Sequence, residues 1–203
     1  MGDGHLDATN AYWTAEGSTG STSGTIGKAA LAGGPAMTIA LGQNFPLSIA
    51  VDATSVYWAD GVNSTIVKVP VGGGVLQTLA SASSPQGIAI DSTSVYWLDA
   101  LPGGAVMSVP IAGGSASTLA SEPGVTPLSI AVDATSVYWT NAPSGSASGS
   151  VMKVPIGGGT PITIAAGQTP ASSNNGGLLA VDAMNVYWVG QYNAGSSVME
   201  VAK

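Results

Sequence analysis

The heptapeptide Asp52-Ala53-Thr54-Ser55-Val56-Tyr57-Trp58 recurs unchanged at residues 133–139. Near-copies stand at residues 7–13 (DATNAYW), 91–97 (DSTSVYW) and 182–188 (DAMNVYW). All five tryptophans of the chain lie at the last position of this heptapeptide, with spacings of 45, 39, 42 and 49 residues. A repeat of about forty residues built from strand-like segments is typical of a β-propeller with one blade per repeat.

The second repeat divides into four short apolar segments separated by turn signals. We predict strand a at residues 48–51, strand b at 55–58, strand c at 66–69 and strand d at 77–80. Asp52 opens the a–b turn, and Pro70 followed by a glycine run forms the c–d turn. The sequence therefore predicts an all-β, five-bladed propeller of four-stranded antiparallel blades in one domain, residues 1–203, with repeats at approximately 4–41, 42–81, 82–121, 122–166 and 167–203.

Two spacings are constant along the chain, and they sort the connections into two kinds. The tryptophan follows the turn aspartate by six positions in all five repeats, and the alanine that ends strand d follows the start of strand c by fourteen positions in the four repeats that contain both. The a–b and c–d turns should share one face, the turn face, while the variable b–c and d–a loops share the opposite loop face. Variable loops on a rigid frame usually carry function, although Ser- and Gly-rich loops also simply drift in length.

The fifth repeat ends in a segment, residues 198–203, that matches strand c. The sequence thus supplies nineteen strands where five complete blades need twenty, and we expect the last blade to lack its outer strand. The ring should then close by blade packing alone. An unpaired edge invites another chain, which predicts either a homodimer through residues 198–202 or a chain cut from a longer protein.

Composition excludes several functional classes. The net charge is −7, with eleven acidic residues, four lysines and no arginine. Nucleic acids and anionic membranes require clustered basic side chains, so neither partner is predicted, and no apolar run approaches the roughly 18 residues of a membrane span. Because cysteine is absent and His5 is the single histidine, the sequence excludes metal sites built on cysteine or histidine and a Ser-His-Asp triad, and it predicts no cofactor.

The repeat resembles a known family. Tyr138-Trp139-Thr140-Asn141 and Tyr57-Trp58-Ala59-Asp60 approach the Tyr-Trp-Thr-Asp signature of the YWTD propeller repeat of the low-density-lipoprotein-receptor type. The repeat is also similar to uncharacterised bacterial propeller repeats. The resemblance implies a protein-binding role without catalysis. We expect an exported bacterial protein, extracellular or periplasmic, although the first residues contain no targeting segment. The family has six blades, whereas this chain shows five repeats; blade number alone suggests a lectin-like, sugar-binding analogy.

Candidate binding residues are polar or aromatic side chains at the start of the variable loops. One group follows the tryptophans by two residues and could make polar contacts, bind Ca²⁺ or simply cap loops: Asp60, Asp99 and Asn141. The other group forms polar-aromatic clusters of the kind found on adaptable binding surfaces: Gln43, Asn44, Phe45, Gln191, Tyr192 and Asn193. The turn aspartates are instead expected to form Asx-turns, and the tryptophans to pack between blades.

Three hypotheses about function follow from these observations. The first is a non-enzymatic module that binds a glycan or a protein through its loop face. The second is a purely structural repeat, or a fragment of a larger propeller, with no ligand of its own. The third is an enzyme that uses acidic residues near the central channel.

Overall fold

The computed structural model describes residues 3–17, 22–100, 103–143, 148–168, 179–192 and 195–203. These residues form five separate antiparallel sheets, which are the five blades of a β-propeller. Four sheets have four strands in the order of the chain, and the fifth has three. The predicted all-β architecture of five antiparallel blades is confirmed, and three strands of the last blade fall within the described residues. Within the same residues, no helix is long and apolar enough to cross a membrane.

The strands follow the predicted positions and extend them by one or two residues at the loop face. Blade 1 contains β1 (Gly4–Leu6), β2 (Asn10–Ala15), β3 (Gly24–Ala30) and β4 (Met37–Gln43). Blade 2 contains β5 (Pro46–Val51), β6 (Ser55–Asp60), β7 (Thr65–Pro70) and β8 (Gln77–Ser81). Blade 3 contains β9 (Pro85–Ile90), β10 (Ser94–Asp99), β11 (Ala105–Pro110) and β12 (Ser117–Ser121). Blade 4 contains β13 (Val125–Val132), β14 (Ser136–Pro143), β15 (Gly149–Pro155) and β16 (Ile162–Gln168). Blade 5 contains β17 (Leu179–Val181), β18 (Asn185–Tyr192) and β19 (Gly195–Ala202).

The two kinds of connection lie on opposite faces, as the spacings predict. The amide of Val71, in the c–d turn, donates to the carbonyl of Thr54 in the a–b turn at 3.0 Å. These turns are therefore neighbours on the turn face. At the other end of the same strands, Asp60 pairs with Thr65, and its carboxylate accepts the amide of Asn44 at 3.3 Å. Asp60 therefore marks the loop face.

Tyrosine and tryptophan at the end of the heptapeptide point to opposite sides of each blade because side chains alternate along a strand. Tyr12 of blade 1 packs in one cluster with Trp58 of blade 2, and Tyr57 of blade 2 packs with Trp97 of blade 3. We call the tryptophan side of a blade its leading face and the tyrosine side its trailing face. The predicted packing between blades is confirmed for the last four tryptophans, which are at most 3% exposed.

Two lysines add a polar link across the blade interfaces. Lys28 of blade 1 donates to the carbonyl of Val71 in blade 2 at 2.8 Å, and Lys68 of blade 2 donates to the carbonyl of Ile111 in blade 3 at 2.7 Å. Both carbonyls belong to c–d turns. Each lysine therefore ties the trailing face of its own blade to the turn face of the next one.

The packing of neighbouring blades can be followed through the described residues from blade 1 to blade 5. Hydrophobic clusters join blades 1–2, 2–3, 3–4 and 4–5, but within the described ranges none joins blade 5 to blade 1. The leading face of blade 1 offers Gly27 where blade 2 has Val67, and Trp13 is only half-buried. On the trailing face of blade 5, Val198 is 73% exposed. Among the described residues these side chains form no hydrophobic cluster between blades 5 and 1, so closure of the ring by blade packing stays a prediction.

Candidate functional site

The five turn aspartates hold the turn face together, which confirms the predicted Asx-turns. In blade 2, Asp52 Oδ1 accepts the amides of Thr54 and Ser55 at 2.7 and 2.8 Å, and Asp52 Oδ2 accepts the Tyr57 hydroxyl at 2.8 Å. Partial burial raises the pKa of Asp52, but the hydrogen bonds outweigh it and hold that pKa below its usual value. The aspartate-to-tyrosine bond occurs in all five repeats. These carboxylates are structural, and they face away from the loop face.

Asp60 lies at the loop-face end of strand β6 and is 1% exposed. Its carboxylate accepts the Asn44 amide from the d–a loop, and it accepts the backbone and side-chain nitrogens of Asn63 from the b–c loop, each at 3.0 Å. Asp60 therefore fastens the two loops to each other. This geometry fits the loop-cap alternative, and any ligand would meet the loops rather than the carboxylate.

Asp99 occupies the same position in blade 3 and is 5% exposed. Both of its carboxylate oxygens accept the Ser83 amide, at 2.9 and 2.8 Å, and one of them also accepts the Ser84 amide. Ser83 and Ser84 belong to the loop that enters blade 3. Asp99 thus fixes that loop in the way that Asp60 fixes the loop entering blade 2.

Asn141 takes this position in blade 4, but its partner is a side chain. Glu122 Oε2 accepts both Asn141 Nδ2 and the indole nitrogen of Trp139 at 3.0 Å. Asn141 Oδ1 in turn accepts the hydroxyl of Ser150 at 2.7 Å. The buried indole nitrogens of Trp58 and Trp97 have no hydrogen-bond partner, so Glu122 gives blade 4 a contact that these blades lack.

The predicted sites Asp60, Asp99 and Asn141 are therefore distributed around the loop face, one on each of three blades. The structure does not bring them together. Within the described ranges, no group of three acidic or histidine side chains is arranged to hold a metal ion.

The cluster at residues 43–45 was expected in a loop, but Gln43 ends strand β4 and only Asn44 and Phe45 lie on the loop that enters blade 2. Gln43 is 5% exposed, and its side-chain amide donates to the Leu41 carbonyl at 2.7 Å. The side-chain oxygen of Asn44 is buried without a hydrogen-bond partner. Phe45 has a φ of 64°, a left-handed conformation that costs a non-glycine residue about 1–3 kcal/mol. The Phe45 carbonyl accepts the Gly61 amide at 3.1 Å, which helps to hold the strained residue in place.

The second cluster was expected in a loop, but two of its residues belong to a strand. Gln191 and Tyr192 end β18 and pair with Ser196 and Gly195 of β19. The b–c ladder of blade 5 therefore runs further than the sequence indicated, because the pairing continues up to a short connection. Asn193 lies outside the described residues.

One cleft on the loop face brings several of these loops together. It encloses about 250 Å³ between blades 2 and 3. The lining residues are Phe45, Leu47, Gly61, Val62, Ser84, Pro85 and Gln86. We call this the loop-face cleft. Val62 is 52% exposed at its rim, and the lining combines apolar side chains with a serine and a glutamine, as ligand pockets usually do.

A second hollow of about 270 Å³ is lined by residues of blade 3 and by part of the segment that Asp99 fastens. Ser83 and Asp99 line the second hollow, while Ser84 lines the first. Sequence reasoning found Phe45 but missed Val62, Pro85 and Gln86 as cleft residues. All three lie in or beside variable loops, but nothing in the sequence shows that loops about 25 to 40 positions apart meet.

No family model matches this sequence, and no curated protein matches it. Among solved structures, the chain is similar to the crystal structure of a nidogen/laminin complex, with a TM-score of 0.77, 19% identity and coverage of 98% of this chain and 74% of that chain. It is also similar to a putative TolB from Agrobacterium tumefaciens, with a TM-score of 0.68, 17% identity and coverage of 98% and 75%. A prolyl endopeptidase structure gives a TM-score of 0.64 at 14% identity, and the chain spans 35% of its length. These likenesses define the chain as a β-propeller.

Proposed function

We propose that this chain is a non-enzymatic binding module that takes a segment of a partner protein in the loop-face cleft. The observation that carries the proposal is the strained backbone of Phe45 at the wall of that cleft. Strained residues persist where the surrounding structure over-determines them, and they cluster at ligand-binding sites. The bonds from Asn44 to Asp60 and from Gly61 to Phe45 provide that constraint.

The chemistry of the cleft favours a peptide over a sugar. Val62 and Phe45 present apolar surface beside the polar Gln86, which suits one apolar anchor with a few hydrogen bonds. A lectin-like site would use aromatic rings as stacking platforms, but four of the five tryptophans are at most 3% exposed. A glycan therefore stands as the second candidate ligand.

The proposal also includes the type of repeat and the location of the protein. We infer that the repeat is related to the YWTD type, on the strength of the Tyr-Trp motif. The nidogen/laminin structure supports this inference through its similar fold. The same resemblance supports an extracellular or periplasmic location for a bacterial protein of this kind.

The proposal predicts that one exposed residue on the loop face controls binding. Display of a random peptide library and a glycan array on the immobilised chain would supply the ligand. Val62→Glu should then weaken binding at least tenfold, because it places a charge at the rim of an apolar cleft. The matched control is Val75→Glu, since Val75 is 87% exposed in the c–d turn of the same blade, on the turn face. It adds the same charge and should leave affinity within twofold.

The alternatives give different results in this experiment. A purely structural repeat would select no peptide and no glycan, and that view is favoured by the way Asp60 and Asp99 already accept hydrogen bonds from backbone amides of the surrounding loops. A sugar-binding module would select glycans alone. The enzyme hypothesis is tested separately by incubating the chain with proline-containing peptides, because a prolyl endopeptidase is among the similar structures; cleavage would contradict the proposal.

A further inference from the structure

Asp99 is a buried carboxylate that lines the second hollow, which encloses about 270 Å³ on blade 3. Asp99 pairs with Ala105 across the sheet, and Trp97 pairs with Met107, so these four side chains lie on the leading face of the blade. Hydroxyl groups supply the rest of the polar lining, from Ser83, Thr118 and Ser121. We call this the Asp99 hollow.

The equivalent polar residues of blades 2 and 4 accept a hydrogen bond from a side chain of the residues that follow them. Asp60 Oδ2 accepts the side-chain nitrogen of Asn63 at 3.0 Å, just before strand β7. Asn141 Oδ1 accepts the hydroxyl of Ser150 at 2.7 Å, from the facing position of strand β15. In both blades the protein itself therefore supplies a side-chain donor at the loop-face end of strand b.

Blade 3 has no side-chain donor at the corresponding places. Residues 103–104, directly before strand β11, are both glycine, and Ala105 lies opposite Asp99 as Ser150 lies opposite Asn141. Within the described residues, Asp99 accepts hydrogen bonds from backbone amides alone. The small side chains that remove the donor also leave room beside the carboxylate, and the Asp99 hollow occupies that room.

The basic side chains of the protein belong to other blades. Lys68 reaches blade 3, but it does so at the turn face, where it binds the carbonyl of Ile111. The chain has no arginine, and its remaining basic residues lie in blades 1, 4 and 5: His5, Lys28, Lys153 and Lys203. A buried carboxylate without a cationic partner is costly, and a net charge of −7 attracts cations to the protein. The Asp99 hollow is therefore suited to a cation from outside the chain.

The hydrogen bonds that Asp99 already makes select the shape of that cation. The Ser83 amide contacts both carboxylate oxygens, at 2.9 and 2.8 Å. It thus occupies the edge between them, on which a planar guanidinium forms its two parallel bonds. A carboxylate can accept about four hydrogen bonds, and the two amides of Ser83 and Ser84 leave part of that capacity free. An ammonium group, a compact charge with three donors, needs one such position.

A metal ion fits the Asp99 hollow less well than an ammonium group. Ca²⁺ takes about six to eight oxygen ligands, several of them usually from carboxylates. The hollow offers one carboxylate among neutral hydroxyls, and the part of the chain that the structure describes contains no group of three acidic or histidine side chains placed for a metal. Met107 and Ala105 add apolar surface, which suits the methylene groups of an organic cation.

We propose that the Asp99 hollow binds the ammonium group of a lysine side chain from a partner protein. Asp99 balances its charge, the hydroxyls of Ser83 and Ser121 accept further N–H groups, and Met107 contacts the methylene stem. Ser83 lines this hollow and the next residue lines the loop-face cleft, so both sites adjoin one segment of the chain. The lysine site does not depend on the function proposed for that cleft.

Heteronuclear NMR of the isotope-labelled chain tests the proposal, because the amides of Ser83 and Ser84 donate to Asp99 and report a cation that reaches it. The probes are the Nα-acetyl amides of lysine, arginine and norleucine at equal ionic strength. The lysine derivative should shift both amide signals with a Kd on the order of millimolar. The arginine derivative should bind at least about threefold more weakly, because the edge for its paired bonds is occupied. The norleucine derivative, which lacks the ammonium group, should shift neither signal.

Two variants and one control locate the binding site. Asp99→Asn should weaken binding of the lysine derivative at least about fivefold, because charge-assisted hydrogen bonds are roughly twice as strong as neutral ones. Ala105→Ser keeps the carboxylate but adds the hydroxyl that blade 4 has at Ser150, and it should weaken binding about threefold by competing for Asp99. The control is Glu200→Gln, which removes one exposed charge from blade 5 and should leave the affinity within about twofold, since charges this far apart are screened by salt.

Several results would overturn the proposal. Equal shifts with the norleucine derivative would mean that the charge is not recognised, and equal affinity for the arginine derivative would remove the preference for ammonium. The same shifts with calcium chloride alone would identify a metal site. A loss in Glu200→Gln as large as that in Asp99→Asn would show general attraction to an acidic protein, and full binding in both Asp99→Asn and Ala105→Ser would place the site elsewhere. Because the probes are single amino-acid derivatives, none of these results depends on a peptide in the loop-face cleft.

Discussion

The hydroxyl of Tyr57 donates to the carboxylate of Asp52 at 2.8 Å, across five positions of the chain. The same bond closes the a–b turn of every blade, at 2.8 to 3.0 Å. It connects the turn face to the middle of the blade interface, since the ring of Tyr57 is fully buried there while its hydroxyl reaches the turn. The motif Asp-x-x-x-x-Tyr-Trp is thus one structural unit.

Because this bond needs an ionised aspartate and a protonated tyrosine, we expect the protein to be most stable over an intermediate range of pH. The turn aspartates have lowered pKa values, so their contribution is complete above the unfolded pKa of about 3.9 and is lost as the pH falls below it. Burial, then hydrogen bonding to aspartate, raises the pKa of Tyr57 and Tyr96 to about 12. Their contribution is complete below about pH 10 and is lost as the pH rises through 12. Thermal midpoints between pH 2 and 12 should show a plateau from about 5 to 9; a midpoint unchanged from pH 5 to 2 would contradict this reasoning.

Removing the tyrosine hydroxyl should lower the free energy of unfolding most where the ring is fully buried between two blades. Tyr57→Phe leaves the buried ring in place but deprives Asp52 of one donor, and a hydrogen bond to a charged group contributes about 1.5–3 kcal/mol; solvent access to Asp52 places the expected loss at the lower end. Denaturant unfolding measures the loss. Tyr187→Phe is the control, because its bond to Asp182 is exposed, and a loss as large as that of Tyr57→Phe would argue against the role of burial.

The five tryptophans should not contribute equally to stability. Truncating a buried Trp to Ala costs about 3–5 kcal/mol, and Trp58 and Trp139 are at most 1% exposed. Trp13 lies half-buried on a face that no other described blade covers. Trp58→Ala and Trp139→Ala should therefore lower the free energy of unfolding clearly more than Trp13→Ala. Three equal losses would show that another surface covers Trp13.

The contact between Glu122 and Trp139 can be transferred to another blade. Ala82 and Glu122 occupy equivalent backbone positions, since their amides donate to the carbonyls of Ser64 and Gly104 at 2.8 and 3.0 Å. The indole nitrogen of Trp97 is buried and unpaired, and an unmade hydrogen bond of this kind costs about 1–3 kcal/mol. Ala82→Glu should raise the thermal midpoint, while Glu122→Ala should lower it. Ala82→Gln separates hydrogen bonding from charge; a lower midpoint in both substitutions at position 82 would indicate steric conflict instead.

The sequence predicted the blades well because two local periodicities determine them. Alternation along a strand places Tyr57 and Trp58 on opposite faces, and the Asp-to-Trp spacing fixes the turn between strands a and b. The bond from Tyr57 to Asp52 was also recoverable, because tyrosine follows the turn aspartate by five positions in every repeat. Gly27 can be read from the sequence, but its place opposite Trp13 on the leading face of blade 1 is known only from the pairing of strands β2 and β3.

The candidate site was less predictable because its contacts join distant loops. Asp60 and Asp99 were identified as loop residues, but their amide partners lie 15 or 16 positions away on the preceding loop. The positive φ of Phe45 has no sequence signal, since phenylalanine rarely adopts it. Val62 and Gln86 line the same cleft because blades 2 and 3 stack, and no spacing in the sequence predicts that they lie close together.

The two lysines that reach the next blade affect how the repeats of such a protein can evolve. Lys28 and Lys68 bind main-chain carbonyls of Val71 and Ile111, and a carbonyl is present whatever residue mutation installs at those sites. The hydrogen bond is therefore kept when a residue of the following repeat mutates, and no matching substitution is required there. A duplicated or transplanted repeat unit would therefore arrive with its half of the connection already in place.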